Sequence, residues 1–188
     1  GDLVLEHCAK ILREEAKEYG VVARVGGDEF IVVLRDVNSK VDAVSIAESL
    51  RQALRNNSTA DGQTEKVNAS IGISKWIGSG EASFKEQMAN ADIALQFAKR
   101  GQKSQIKYFE PQMRSVFLAR QAMVDDMLKG IKQDQFRAFF QPQLNVETNE
   151  IVGLEVLTRW QHPQRGLMNA DAFIDVANEN ALIKELDE

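Results

Sequence analysis

The most constraining feature of this chain is a pair of glycines followed by a pair of carboxylates. The stretch reads Gly26-Gly27-Asp28-Glu29. Apolar runs flank it, Val21–Val25 before and Phe30–Leu34 after, and this pattern predicts a β-hairpin with a tight turn. Glycine lets the backbone approach a ligand without a Cβ clash. Asp28 and Glu29 place hard oxygen ligands beside that gap, which suits Mg²⁺ and a polyphosphate. Taken alone, a solvated hairpin turn explains the same residues.

Composition and charge are those of an ordinary globular protein. The chain has 188 residues, 44% of them apolar, which suffices for one core or two small ones. The net charge of −5 argues against nucleic-acid binding through overall charge. Cys8 is the single cysteine, which excludes an internal disulfide and fits a reducing cytosol. No apolar run approaches the ~18 residues that span a membrane, so we expect a cytoplasmic segment, with any membrane or sensor region outside it.

The periodicity of apolar residues predicts an α/β chain. Helical spacing marks residues 3–19, 41–54, 84–98 and 115–133, and a last helix runs from about 171 to 180. Alternation marks strands at 67–73, 106–109, 136–144 and 151–160. Ser39 and Ser83 each begin a pattern that resembles a capping box, which predicts a helix start.

The hairpin and three other segments resemble the GGDEF family of bacterial diguanylate cyclases, which join two GTP molecules into cyclic di-GMP. Gly1-Asp2 is similar to the family segment that begins a helix, Val67–Ile73 to a family strand, and Asn90–Lys99 to its late helix. The resemblance implies a partial GGDEF domain over residues 1–112. The expected fold resembles a nucleotide-cyclase palm, an antiparallel-rich sheet with helices.

The resemblance also implies roles for acidic and basic residues. Asp28 and Glu29 would be metal ligands and catalytic residues, with Mg²⁺ or Mn²⁺ as the ion. The Asp2 carboxylate would bind the guanine edge, because its two oxygens would accept from the parallel N1 and N2 donors of the base. The other interpretation of Asp2 is a helix cap. Arg24 would reach a nucleotide phosphate or pair with Asp28.

The remaining nucleotide contacts would come from glycines and lysines. Gly26 and Gly27 would allow the close approach of GTP. Lys99 and Lys103 match two basic phosphate-binding positions, although the family usually has Arg at the second. A solvated basic helix end, favoured by the helix dipole, is the alternative for both lysines.

Two departures from the GGDEF pattern bear on activity. Many cyclases carry an inhibitory Arg-x-x-Asp upstream of the hairpin, and here Lys17 and Gly20 stand at those positions. We therefore expect feedback inhibition by product at that site to be absent. The family also places a strand with another metal-binding aspartate before the Gly-Asp segment, and this chain begins too late to contain it.

The second half resembles the start of an EAL domain, a TIM-type barrel that hydrolyses cyclic di-GMP. Phe139–Pro142 and Gly153–Trp160 carry the similarity. Glu155 would be a metal ligand and catalytic residue, Arg159 would hold a phosphate, and Gln141 would contact the dinucleotide. Period two places Glu155 and Arg159 on one face of a strand; a strand-face ion pair of little consequence is the alternative.

These resemblances imply an internal segment of a tandem GGDEF–EAL protein. Residues 113–133 would form a connector helix and residues 134–188 the opening of the EAL barrel, since a whole barrel needs about 250 residues. Val156 in the signature, and Asp175 and Asn178 where the family often has Pro and Glu, depart from the pattern.

Two functions remain open. The longer protein that contains this segment would hydrolyse cyclic di-GMP, make it from GTP, or do both. It would act as a homodimer without nucleic-acid partners. The alternative is a non-catalytic receptor or regulatory module that binds cyclic di-GMP or GTP. The segment itself is expected to be inactive, because metal ligands of both domains lie outside it.

Overall fold

The computed structural model describes residues 2–57, 59–60, 63–64, 66–76, 80–100 and 104–186. The chain divides into two compact units, residues 1–114 and 115–188. Helices and strands alternate along the chain, and the strands pair in small sheets. This arrangement confirms the predicted α/β class. The domain limits predicted from the sequence stay predictions. Within the described ranges, no helix combines the length with the apolar character that a membrane crossing requires.

The first unit contains three helices and paired short strands in the part of the chain that the structure describes. In order they are α1 Asp2–Ala16, β1 Gly20–Gly26, β2 Glu29–Leu34, α2 Lys40–Asn57, β3 Thr59–Ala60, β4 Gln63–Thr64, β5 Ile71–Ile73, α3 Glu81–Lys99 and β6 Ile106–Tyr108. Strands β1 and β2 form the predicted antiparallel hairpin, and β5 pairs with β6 in parallel. The strand predicted over 67–73 is therefore shorter than its alternating pattern.

The core of the first unit lies between α1, α2 and the hairpin. Its buried members recur at helical spacing: Cys8, Leu12, Ala16, Leu50 and Leu54. Phe30 and Val32 of β2 pack against them, because alternate residues of a strand share one face. Burial raises the pKa of the Cys8 thiol, which agrees with a core residue rather than a nucleophile.

At the first of the two predicted capping boxes the Ser39 N-cap is confirmed, and the second box is wrong. Ser39 Oγ accepts a hydrogen bond from the Asp42 amide at 3.0 Å and donates one to Asp42 Oδ2 at 2.7 Å, so it caps α2. Helix α3 instead begins at Glu81, with Gly80 at the N-cap position with φ 86°. Ser83 therefore lies inside the first turn, because glycine at residue 80 allows the helix to begin earlier.

The second unit is built on an antiparallel sheet in the order β7-β8-β9. Its elements are helix α4 Pro111–Lys132, which begins just before the division between the units, then β7 Phe136–Leu144, β8 Ile151–His162, β9 Gly166–Asn169, a 3₁₀ turn Ala170–Ala172, α5 Ile174–Glu179 and α6 Ile183–Leu186. Strand β7 has the predicted bounds. The sheet is open, as expected for part of a barrel.

The core of the second unit centres on Trp160, which is fully buried. Its ring stacks on Phe136 at 5.0 Å between centroids and meets Phe173 edge-on at 5.8 Å. The indole Nε1 donates a hydrogen bond to Gln135 Oε1 at 3.0 Å, so the polar end of this buried ring is satisfied. Met127 of α4 packs into the same cluster.

A buried histidine holds the β8–β9 turn. His162 Nδ1 accepts hydrogen bonds from the backbone amides of Gln164 at 3.1 Å and Arg165 at 3.2 Å. Its Nε2 lies 3.5 Å from Asp126 Oδ2 of α4. The imidazole therefore serves the turn and the helix, and the described residues gather no group of three or more ligands suited to a metal around it.

Candidate nucleotide-binding sites

The tip of the β1–β2 hairpin carries the two predicted carboxylates. Gly26 pairs with Glu29 across the ladder, so Gly27 and Asp28 form the turn itself. Gly27 has φ 51°, a left-handed conformation that glycine adopts without a Cβ penalty. The register shifts between Arg24 and Gly26, which leaves Val25 as a bulge. Asp28 and Glu29 are both exposed at this tip.

Open space lies above the hairpin glycines. A Cβ placed on Gly26 or on Gly27 would meet no heavy atom within 4 Å. The backbone of the tip is thus accessible, as the sequence prediction of close ligand approach requires. At Gly26 nothing in the fold itself opposes a side chain, so its role in ligand approach can be tested by substitution.

The end of α3 brings a lysine to the hairpin. Lys99 Nζ lies 3.9 Å from Glu29 Oε1, and the two side chains are 57% and 59% exposed. An ion pair this exposed contributes little to stability, because water screens it. The pair matters because it places a cation and a carboxylate from distant parts of the chain side by side, where both face solvent. Lys103 lies outside the described residues.

The guanidinium of Arg24 contacts the turn rather than Asp28, and its predicted phosphate contact stays a prediction. Its Nε and Nη2 donate to the carbonyl oxygen of Gly27 at 3.0 Å and 2.9 Å. Among the ion pairs of the described residues, none joins Arg24 to Asp28. Asp2 lies exposed in the first turn of α1, and its predicted guanine contact stays a prediction.

The position expected for a feedback aspartate is closed by packing. Gly20 begins β1, and a Cβ there would lie 1.9 Å from the carbonyl oxygen of Val33. No L-amino acid with a side chain fits without moving the backbone. Lys17, at the other feedback position, pairs with Glu14 at 3.2 Å on the surface of the unit.

The predicted residues of the second unit share one face of the sheet. Gln141 of β7 lies directly across from Glu155 of β8, and Arg159 follows on the same face by period two. Glu155 and Gln141 are exposed, and Arg159 is half-buried. Register alone brings these three residues together.

The same face carries two residues to which the sequence analysis assigned no role. Arg137 lies directly across from Arg159, and Phe139 is 46% exposed with the Arg159 guanidinium 6.0 Å from its ring centroid. Like charges placed opposite each other destabilise a sheet, so an anion beside them would relieve the repulsion. Both residues lie at two-residue intervals before Gln141 along β7, so alternation in the sequence would have placed them on its face. The pairing of Arg137 with Arg159 is known only from the strand register.

The donor set at the hairpin tip fits a magnesium ion. Mg²⁺ is usually held by one or two carboxylates together with substrate phosphates rather than by a full protein cage. Asp28 and Glu29 supply two carboxylates, and the described residues hold no cluster of three or more His, Cys, Asp or Glu side chains suited to a metal. At the second face the described residues provide one candidate ligand, Glu155.

Comparison with family models identifies both halves of the chain. Residues 1–105 match the model described as "Diguanylate cyclase, GGDEF domain", and residues 124–188 match that of the EAL domain. The chain belongs to the GGDEF family, and an EAL segment follows in the same chain. This pair of domains belongs to cyclic di-GMP signalling.

Known relatives match the whole of this chain within longer chains. The cyclic di-GMP phosphodiesterase NbdA of Pseudomonas aeruginosa is 31% identical over 100% of this chain and 24% of its own length. The bifunctional diguanylate cyclase/cyclic di-GMP phosphodiesterase MucR of the same species is 29% identical over 100% of this chain and 27% of its own. The chain thus spans about a quarter of these relatives.

The fold of the first unit also has a solved counterpart. The GGDEF domain of TpbB (YfiN) from Pseudomonas aeruginosa is 29% identical, with a TM-score of 0.55 over 62% of this chain and 68% of that one. The similarity supports the GGDEF fold.

Proposed function

We propose that this chain is part of a protein of cyclic di-GMP turnover, with one nucleotide site in each unit. The hairpin tip binds GTP together with Mg²⁺ or Mn²⁺, and the β7–β8 face binds cyclic di-GMP. The contact of Lys99 Nζ with Glu29 Oε1 at 3.9 Å carries the proposal for the first site. It joins an acidic and a basic position of the GGDEF pattern at one exposed tip.

In the first site, different residues bind the metal, the phosphates and the guanine base. Asp28 and Glu29 hold the metal, and Lys99 offsets phosphate charge. The open backbone at Gly26 lets the triphosphate approach closely, and Asp2 accepts from the guanine edge. A metal held there by Asp28 and Glu29 would neutralise the triphosphate and would help to activate the attacking hydroxyl.

The proposed synthesis joins two GTP molecules in two equivalent steps. The 3′-hydroxyl of each GTP attacks the α-phosphorus of the other, loses its proton, and displaces pyrophosphate. Because this chain has one such hairpin, two copies must face each other, and we include a homodimer of the whole protein in the proposal. Its cytoplasmic location is part of the same proposal.

In the second site, Arg159 and Gln141 bind the dinucleotide and Glu155 is the candidate metal ligand. Arg137 adds a second guanidinium on the same face, which suits a ligand with two phosphates. Hydrolysis would require water to attack one phosphodiester bond with metal assistance. The described residues offer one carboxylate for that task, so we propose binding without turnover for this chain and hydrolysis for the whole protein.

Titration calorimetry with GTP and Mg²⁺ tests the first site. Asp28→Asn should weaken GTP binding by at least about tenfold, since loss of even an indirect metal partner has that effect. Glu15→Gln is the matched control, because Glu15 is an exposed carboxylate on α1 away from the tip. Equal affinity in wild type and Asp28→Asn would refute the site.

Turnover assays distinguish the enzyme from a receptor. This chain is incubated with Mg²⁺ and GTP, and separately with cyclic di-GMP, and products are separated by chromatography. We expect neither to be consumed. Consumption that Asp28→Ala or Glu155→Ala abolishes would overturn the claim of inactivity, and binding without turnover in the whole protein would favour the receptor.

A further inference from the structure

We propose that Arg24 is a positioning residue that sets the backbone of the hairpin turn, and that it acts on the nucleotide through Asp28 and Glu29. The inference rests on the proposed GTP site. It assigns Arg24 a task other than the phosphate contact that the family resemblance implies.

The geometry of the contact carries the inference. Arg24 Nε and Nη2 both donate to one acceptor, the carbonyl oxygen of Gly27, at 3.0 Å and 2.9 Å. These two nitrogens form one edge of the rigid planar guanidinium fork. A carbonyl held by two donors on one edge has its direction defined, and the peptide plane that follows it belongs to Asp28.

The position of Arg24 in the ladder explains how the side chain reaches the turn. Arg24 pairs with Phe30, and the bulge at Val25 separates that pair from Gly26 and Glu29. A bulge twists the strand and re-aims side chains near it. Arg24 thereby reaches the carbonyl three residues further on.

The turn needs such a contact because its backbone is intrinsically variable. Gly27 has φ 51°, and glycine populates positive and negative φ about equally. No neighbouring atom lies within 4 Å of the position its Cβ would take, so packing does not restrict this residue. Two hydrogen bonds from Arg24 supply the restriction that packing does not.

The two roles predict different behaviour of a lysine variant. A lysine keeps the positive charge but replaces the planar fork by a rotatable ammonium group. Arg24→Lys should therefore preserve a phosphate contact in large part and lose a turn contact. Arg24→Ala loses both, and Arg35→Lys, on an exposed arginine just after β2, serves as the matched control.

The test combines amide NMR spectra of the chain without nucleotide and GTP titrations with Mg²⁺. We expect Arg24→Lys and Arg24→Ala to shift the amide signals of Gly27, Asp28 and Glu29 before any ligand is added. Both should weaken GTP binding by about 10- to 100-fold, the usual effect of losing a supporting contact to a metal ligand. Arg35→Lys should change neither readout.

The opposite pattern would overturn the proposal. Unchanged turn amides in both variants, with affinity kept by Arg24→Lys and lost by Arg24→Ala, would make Arg24 a phosphate ligand. If the wild-type chain bound no GTP, the proposed function would fail. The ligand-free spectra would still decide whether Arg24 holds the turn.

Discussion

The two candidate sites are assembled in different ways. At the hairpin tip, Glu29 and Lys99 come from distant parts of the chain, and Lys99 ends a helix that packs on β5 and β6. On the β7–β8 sheet, Gln141 and Glu155 are direct cross-strand partners. The first site therefore depends on tertiary packing and on one turn conformation. The second depends on register, since a one-residue slip would move every side chain to the other face.

In the second unit, the candidate site and the hydrophobic core lie on opposite faces of the sheet. Trp160 and Phe136 are cross-strand partners on the face that packs against α4 and α5. Glu155 and Arg159 lie on the other face. A substitution in the core should thus remove the second site indirectly, through the sheet, and leave the hairpin tip intact.

The largest expected effect comes from Trp160→Ala, which breaks the second site alone. Removing a buried Trp typically costs about 3–5 kcal/mol of folding free energy. We expect hydrogen exchange, measured by mass spectrometry, to accelerate over β7 and β8 while β1 and β2 keep their protection.

Trp76→Ala is the control for that change, because Trp76 is 46% exposed and contacts Phe84 at 5.3 Å in the first unit. It should leave the exchange of β7 and β8 unchanged. Equal loss of protection in the hairpin of Trp160→Ala would show that the two sites share one core.

His162→Ala should weaken the second unit less than the loss of Trp160. It leaves the exposed backbone amides of Gln164 and Arg165 without their side-chain acceptor, and the net loss of a hydrogen bond costs about 0.5–1.5 kcal/mol. Urea unfolding followed by Trp160 fluorescence in a Trp76→Phe background measures the change. Gln164→Ala keeps the backbone donor and should be near neutral; an equal effect of the two would count against the imidazole contact.

Substitutions at the two hairpin glycines sharpen the account of the first site. Gly27→Ala forces a Cβ into φ 51° and should cost about 1–2 kcal/mol, with Gly27→Asn recovering part of it. Gly26→Ala meets no neighbour and should change stability by about 0.5 kcal/mol or less. It should nevertheless weaken GTP binding, because the added methyl group occupies the open space. Unaltered GTP affinity in Gly26→Ala would argue against close approach there.

A small acid dependence of stability is expected in the first unit. Arg51 Nη2 donates to Glu48 Oε1 at 2.6 Å, and hydrogen bonds from Arg51 and then Gln52 lower the pKa of Glu48 to about 2. Because the folded pKa lies below the unfolded one, this stabilisation is complete above the ordinary carboxyl pKa of 4.5 and is lost as pH falls towards about 2.

The Glu48 side chain is 37% exposed, so screening reduces the gain to about 1 kcal/mol or less. Stability of wild type and Glu48→Gln, compared from pH 6 to pH 2 by urea unfolding, measures it. The difference between the two proteins should shrink as the pH falls. A constant difference would mean that the ion pair does not contribute to folding.

Local patterns predicted local structure well. The hairpin followed from Gly26-Gly27 and its apolar flanks, and β7 from alternation over residues 136–144. The failure at Ser83 is also local, since the N-cap of α3 lies three residues earlier, at Gly80.

The partners of individual side chains could not be predicted from the sequence. The Arg24 contact with Gly27 depends on a bulge at Val25, and the Arg137–Arg159 pair depends on register. Neither is encoded in the spacing of residues along the chain.

One crossed binding experiment tests whether the chain has two separate nucleotide sites. GTP with Mg²⁺ and cyclic di-GMP are each titrated into wild type, Glu29→Gln and Arg159→Ala. We predict that Glu29→Gln loses GTP binding and keeps cyclic di-GMP binding, while Arg159→Ala does the reverse. Loss of both ligands in either variant, or of neither ligand in both, would contradict the account.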